Sequence, residues 1–398
     1  MTGKRTDSNR KILKKGEGQR DNGLYYYRWS DGKGNRNTVY AKTLEELREK
    51  ELEIERDKLD GINVFKKNMS VSEAYDTWKS IKKGVKENTL ANYDYMFNRY
   101  VRSTRFGSLS VGAVKKSTVR ALYKELHDHK GLKTTSIDTI HNVLHQVFEM
   151  LLDDEIIRTN PIDHAIRDLK RDTRGERVKK KSLTLEQELE FLDYVKNSKI
   201  YGHWYPLFKV MFGTGMRIGE ETGLQWGDID FKNSIINISQ TLVYFSDSKR
   251  EGCRYAINST KSEKGERPIP VSRDVIKALE LERQNQKNEG VKCIANVDGY
   301  KDFVFVNRFG DVLNNGVVNK AIRRIVSDHN LEVCTEGKEG IIIPDFSCHT
   351  IRHTYITRLC EADVNIKVIQ ELAGHSDITT TMNIYADVTK EMHKNALV

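Results

Sequence analysis

The sequence predicts a multidomain, mainly α protein with small β elements. Three observations carry that reading. Apolar residues recur at helical spacing from Val71 to about Arg167, strand-like composition is confined to short stretches near residues 24–41 and 235–271, and a basic run, KRDTRGERVKKK at 170–181, separates two apolar-patterned blocks. A chain of 398 residues is long enough for two or three domains, each with its own core. The expected division is 1–66, a basic arm with a small β-sheet/helix domain; 67–169, a helical domain; 170–181, a basic linker; and 182–398, an α+β domain ending in a tail at 386–398.

Leu24 to Trp29 has strand composition, Asp31-Gly32-Lys33-Gly34 is a turn signal, and Asn37 to Ala41 returns as a second strand. Thr43 followed by Glu46 is a capping-box pattern and opens a helix to Leu59. Two readings of this sheet stay open. Its aromatic residues either pack on the following helix or, with Arg28, form a face that reads the DNA major groove.

The helical domain begins at a cap on Ser70 or Ser72 and continues through a second helix from Thr89, a third over 114–126 and a fourth over 136–152. In the last, Ile137, Ile140, Leu144, Val147, Phe148 and Leu151 fall on one stripe and predict core. Asn160-Pro161 closes the block. Beyond the linker, Thr184 with Gln187 opens a helix and Tyr205 to Gly213 reads as an apolar one. Strands follow over 235–242, 254–259 and 267–271, and helices over 273–287, over 315–328 and through the C-terminal part.

Composition narrows the function classes. The longest apolar runs, such as Gly340 to Ile343, are too short to cross a bilayer, and the charged start has no apolar core of a secretory signal. Five cysteines with no CxxC pair read as reduced thiols, with no metal expected, so the protein is expected to be cytoplasmic. A net charge of +9 alone says little about partners. The clustering of Lys and Arg at 4–20 and 170–181 fits segments lying along phosphates.

The chemistry concentrates in the last domain. His349-Thr350-Ile351-Arg352, Gly374-His375 and Tyr385 follow an upstream Arg217 with Glu220 one turn later. Guanidinium forks hold phosphate oxygens in a bidentate way and stay charged, histidine moves protons near neutral pH, and a tyrosine can attack phosphorus. No nucleotide or metal motif accompanies them, so the set points to transfer of a DNA phosphodiester to Tyr385.

Arg217 in TGMRIGE, His349 and Arg352 in HTIRHTYIT, His375 in ELAGHSDITTTMNIY and Tyr385 closing that segment resemble the tyrosine recombinase family. Within it, the three-part layout resembles integrases of bacterial conjugative transposons and temperate phages. The resemblance implies an arm-site DNA-binding domain, a helical core-site DNA-binding domain and an α+β catalytic domain. It implies that Tyr385 forms a 3′-phosphotyrosine, that Arg217 and Arg352 clamp the non-bridging oxygens, that His349 and His375 assist proton transfer, and that Glu220 supports Arg217.

The family also places a lysine general acid on a β-hairpin. Lys261, ending the preceding strand, fits that position better, and Lys264 remains open. No cofactor is implied, because the phosphotyrosine conserves the bond energy. The implied partners are double-stranded DNA attachment sites, a homotetramer on DNA, an excisionase and a host DNA-bending protein, with localisation in the bacterial cytoplasm at the nucleoid. Further DNA contacts are expected at Arg28, at Lys179, Lys180 and Lys181, and at Lys249 and Arg250 in an insertion-like loop, 243–253, that extends the hairpin. A type IB topoisomerase shares the chemistry, and a repressor or architectural protein could keep the fold without it. Neither explains the whole set as well.

Overall fold

A computed structural model describes residues 5–30, 36–59, 66–173, 182–247, 252–259, 265–335 and 340–396, with the backbone alone at 259 and 390–396. The chain forms two compact units, Met1–Arg177 and Val178–Val398. Among the described residues no helix is long and apolar enough to cross a membrane.

The first unit opens with an antiparallel sheet of β1 (Glu17–Gln19), β2 (Tyr25–Ser30) and β3 (Arg36–Ala41), followed by α1 (Leu44–Leu59). β1 is too short to carry a period and was not expected. Strand alternation sorts the aromatic residues. Tyr25, Tyr27 and Trp29 point inward onto Leu44, Leu47 and Ile54 of α1, while Arg28 is exposed on the opposite face with its guanidinium 4.7 Å from the Tyr26 ring centre. Both readings of the sheet therefore find residues: one face is core and the other is aromatic and basic. The turn signal at 31–34 lies outside the described residues.

The rest of this unit is helical: α2 (Val71–Ile81), α3 (Glu87–Phe97), α4 (Arg105–Ser108), α5 (Lys116–Asp128), α6 (Thr134–Asp153) and α7 (Arg167–Asp172). Ser70, not Ser72, caps α2 in a full capping box with Glu73. α3 starts two residues before Thr89, with Lys86 at an N-cap position that its side chain does not cap. All six residues of the α6 stripe are fully buried, and Tyr75 stacks on Phe97 at 3.8 Å between ring centres.

The second unit holds α8 (Leu185–Asn197), α9 (Tyr205–Thr214), α10 (Ile218–Thr222), β4 (Ile229–Asp230), β5 (Ile235–Ile238), β6 (Gln240–Ser246), β7 (Cys253–Ser259), β8 (Arg267–Pro270), α11 (Arg273–Glu289), α12 (Asn315–Thr335), α13 (Cys348–Glu361), α14 (Ile366–Ala373) and α15 (Ile378–Ala396). The single strand expected over 235–242 is broken at Ser239 into strands of two different sheets, β4-β5-β8 and β6-β7. Gln240 explains the break. Its amide donates to the Gly223 carbonyl at 2.9 Å and to Gln225 Oε1 at 3.0 Å, turning β6 onto the exit of α10. A Cβ on Gly219 would lie 2.7 Å from the Leu242 carbonyl oxygen, so glycine there admits the strand.

Much of the expected 243–253 loop is paired ribbon, because β6 and β7 run in register from Gln240↔Ser259 to Ser246↔Cys253. Tyr244 packs on Tyr255 with ring centres 4.7 Å apart, and Phe245 carries the Arg254 guanidinium. Tyr385 lies within α15, and the tail continues the same helix to Ala396. Val388 is buried there against Ile356, Cys360, Ile369 and Ala373 of its own unit. The side chains of Met392 and Ala396 lie outside the described residues.

Candidate active site

The site is organised by the C-terminal end of α14. A helix end leaves its last carbonyls without intrahelical partners. Here three successive ones each receive a different arginine. Arg267 Nε donates to the Leu372 carbonyl at 2.8 Å, Arg352 Nη2 to that of Ala373, and Arg217 Nη2 to that of Gly374 at 2.7 Å. Gly374 takes the left-handed conformation, φ 61°, that closes the helix and turns the chain into His375. Gly215 does the same for α9, and its carbonyl accepts Arg352 Nη1 at 2.8 Å. Two glycine caps thus aim carbonyls at one guanidinium.

Glu220 ties the other two arginines together. Its carboxylate takes Arg217 Nη1 at 2.7 Å and Arg267 Nη2 at 2.9 Å, and closes a capping box on the Arg217 backbone. Burial opposes its charge, but Arg267 and then Arg217 hold its carboxyl below the ordinary range. Arg352 is only 4% exposed; burial first, then the Arg217 charge, pull its guanidinium down to about 9. At neutral pH the cluster of Arg217, Arg267 and Arg352 against Glu220 carries excess positive charge, with Arg217 half-exposed where an anion can reach it.

His349 stands on the first turn of α13, exposed, with Arg352 buried one turn later, as the i, i+3 spacing requires. His375 bonds Thr381 through Nδ1 at 2.9 Å. Burial, then Arg352, Arg217, Arg267 and His349, push its imidazole down to about 4 from the ordinary 6.5. A depressed folded value means stability present above about 6.5 and lost as pH falls toward 4, since the unfolded chain takes up the proton first. His375 is expected to titrate near pH 4 in the DNA-free protein by proton NMR, and higher once an anionic phosphate occupies the site. An ordinary midpoint without DNA would contradict this geometry.

Tyr385 is set apart from that cluster's hydrogen bonds. Its hydroxyl donates to Asp363 Oδ1 at 3.3 Å, and this carboxylate raises the phenol above its ordinary range, holding it neutral. Lys261 and Lys264, between β7 and β8, lie outside the described residues, as do Lys179, Lys180, Lys181, Lys249 and Arg250. Sequence reasoning overlooked Arg267, Asp363 and Thr381. A signal for Arg267 existed: in Arg-Pro-Ile-Pro a period of two puts it on the same inward face as Ile269, where a charge needs a partner. In the first unit, His145, Glu149 and Asp163 are close enough to share an ion, but His145 and Asp163 already bond each other, Glu149 accepts from Asn160 Nδ2, and all three stand partly or fully exposed.

Residues 181–392, which include all of this constellation, match the phage integrase family. The chain belongs to the phage integrase family. Residues 1–58 match a second description, the DNA binding domain of Tn916 integrase. Over 402 residues the chain is 30% identical to the transposase from transposon Tn916 of Enterococcus faecalis, covering 98% of this chain and 95% of that one. It is similar in structure to the Tn1549 transposon integrase solved in complex with transposon right end DNA, with a TM-score of 0.69 and 28% identity over 83% of this chain and all of that one. A lambda integrase tetramer bound to a Holliday junction, at 17% identity and TM-score 0.51 over 94% of this chain and 95% of that one, shares the fold alone. The expected tyrosine-recombinase fold is therefore present, and the chain is a DNA-cleaving and rejoining recombinase of the transposon-integrase kind.

Proposed function

We propose that this integrase cuts and rejoins its attachment sites through a 3′-phosphotyrosine at Tyr385. The observation that carries the reading is the fixing of Arg217 and Arg352 by neighbouring carbonyls of one helix end, with His375 as the next residue. Guanidiniums pinned this way face an incoming phosphate without reorganising, which favours the charge that builds on its oxygens in the transition state.

In the proposed step the Tyr385 hydroxyl leaves Asp363 and its oxygen attacks phosphorus. The bond to the 5′ oxygen breaks, and Lys261 supplies a proton to that oxygen. His375 and His349 hydrogen-bond the phosphate and assist proton transfer, and neutral His375 can take up the phenolic proton. The 5′ hydroxyl of a partner strand then attacks the phosphotyrosine, restoring the diester and freeing Tyr385. Exchange of both strand pairs through a Holliday junction calls for four subunits, so a homotetramer is part of the proposal.

Residues 1–66 would hold arm-type sites through the face bearing Tyr26 and Arg28, residues 67–169 the core site, and 170–181 the phosphates between. The ribbon over 240–259 would contact DNA near the cut. The protein would work on DNA in the bacterial cytoplasm, with an excisionase and a host bending protein setting direction. A nicked suicide substrate tests the central step. The parent protein is expected to give a detergent-resistant adduct and Tyr385→Phe none, although both bind the site. An adduct from Tyr385→Phe would overturn the assignment.

A further inference from the structure

Arg267 is 8% exposed, sits on β8 rather than in any of the motifs that mark the site, and spends its guanidinium entirely on protein groups. Nε reaches the Leu372 carbonyl at 2.8 Å, Nη2 reaches Glu220 Oε2 at 2.9 Å, and Nη1 meets the Gly265 carbonyl at 3.2 Å and Glu220 Oε1 at 3.4 Å. A Cβ on Gly374 would lie 2.7 Å from Nη1, so the turn into His375 is packed directly on this side chain. Through Glu220 the same guanidinium is one bond removed from Arg217, whose other arm holds Gly374.

We propose that Arg267 is a positioning residue for strand cleavage, locking Arg217 and the turn that carries His375 into one unit through Glu220 and the Leu372 carbonyl. It touches no reacting atom. Without it, Glu220 keeps a single arginine, the Leu372 carbonyl loses its donor, and the end of α14 is free to shift. A displacement of about 1 Å at reacting groups costs roughly 10²-fold in rate. The planar fork matters as much as the charge, because an ammonium cannot reach carbonyl and carboxylate together in one plane. Arg267 also adds to the positive field that keeps His375 neutral. It therefore influences both the place and the protonation of that histidine. The inference rests on the proposed roles of Arg217 and His375.

Single-turnover cleavage of the suicide substrate would be followed against pH for the parent, Arg267→Lys and Arg267→Met, with DNA affinity and thermal unfolding measured alongside. Arg267→Met is expected to bind DNA normally, cleave about 10²-fold more slowly, and show His375 titrating at higher pH. Arg267→Lys should stay folded and keep the His375 titration in place. Its cleavage should still be slow, by about 10-fold or more, because the fork is gone. If Arg267→Met does not fold, the lysine variant alone decides. A folded Arg267→Lys that cleaves at the parental rate overturns the inference. A parent that forms no adduct fails the reading of the site instead, so the two failures are distinct.

Discussion

Replacing Arg352 with alanine is expected to slow single-turnover strand cleavage by about 10³-fold or more while weakening binding of the intact site far less. Arg352 is the most deeply buried of the two proposed phosphate clamps, and its two terminal nitrogens are pinned to carbonyls from different glycine-capped ends, Gly215 and Ala373. The remaining N–H directions of a five-donor group are thereby aimed, and nothing has to reorganise when a phosphate arrives. Affinity for an extended site is spread over many phosphate contacts, so it should survive the loss of one guanidinium. The alanine variant leaves two buried carbonyls without donors, at about 1–3 kcal/mol each, so thermal unfolding must be measured beside the rate. Arg352→Lys separates the two effects. It keeps a cation and most of the packing but cannot bridge both carbonyls, and should remain folded and slow. A lysine variant within a few-fold of the parental rate would show that charge alone suffices.

The residues proposed to act on phosphate were legible in the sequence because each sits in a short local pattern: Arg217 with Glu220 one turn on, His349 with Arg352 likewise, His375 just past a glycine cap. What escaped were contacts made across long separations. Arg267 meets Leu372 from 105 positions away and Arg352 meets Gly215 from 137, distances over which no periodicity carries information. The same limit explains the strand expected through Ser239. Its isoleucines, Thr241 and Leu242 read as one strand despite the polar Asn237, Ser239 and Gln240, whereas the break is decided by a side-chain bond from Gln240 to Gly223. The α6 stripe had no such dependence, since a one-sided helix can bury only that side. Tyr385 is the instructive middle case. Its place in the chain was readable, but its partner Asp363 was not, because a lone exposed aspartate has no pattern.

Glu221, beside the residue that organises the arginines, is expected to be a liability to the fold, and Glu221→Leu should raise the stability of the second unit. Its side chain is fully buried, and among the described residues neither carboxylate oxygen has a hydrogen-bond partner. Burial pushes the carboxyl well above its ordinary 4.5, so it enters the fold as a neutral acid. A raised folded value fixes the sign. The stability that the neutral acid retains is fully present below about 4.5 and is lost as pH rises, because the unfolded chain releases the proton first. Leucine of similar volume removes both the unmet oxygens and the ionisation. The gain should be on the order of 1–3 kcal/mol near pH 8, with about 2–4 °C in Tm for each, and should shrink toward pH 4.5. Melts of parent and variant at both pH values check this, and a gain independent of pH would mean that burial does not raise the Glu221 carboxyl. Its neighbour Cys348, the first residue of the helix that carries His349 and Arg352, is pushed up to about 12, chiefly by burial. The variant therefore also asks whether cleavage depends on the acid. If Glu221→Leu cleaves as the parent does, the carboxyl contributes nothing to cleavage, and Glu220 with Arg267 suffices to hold Arg217.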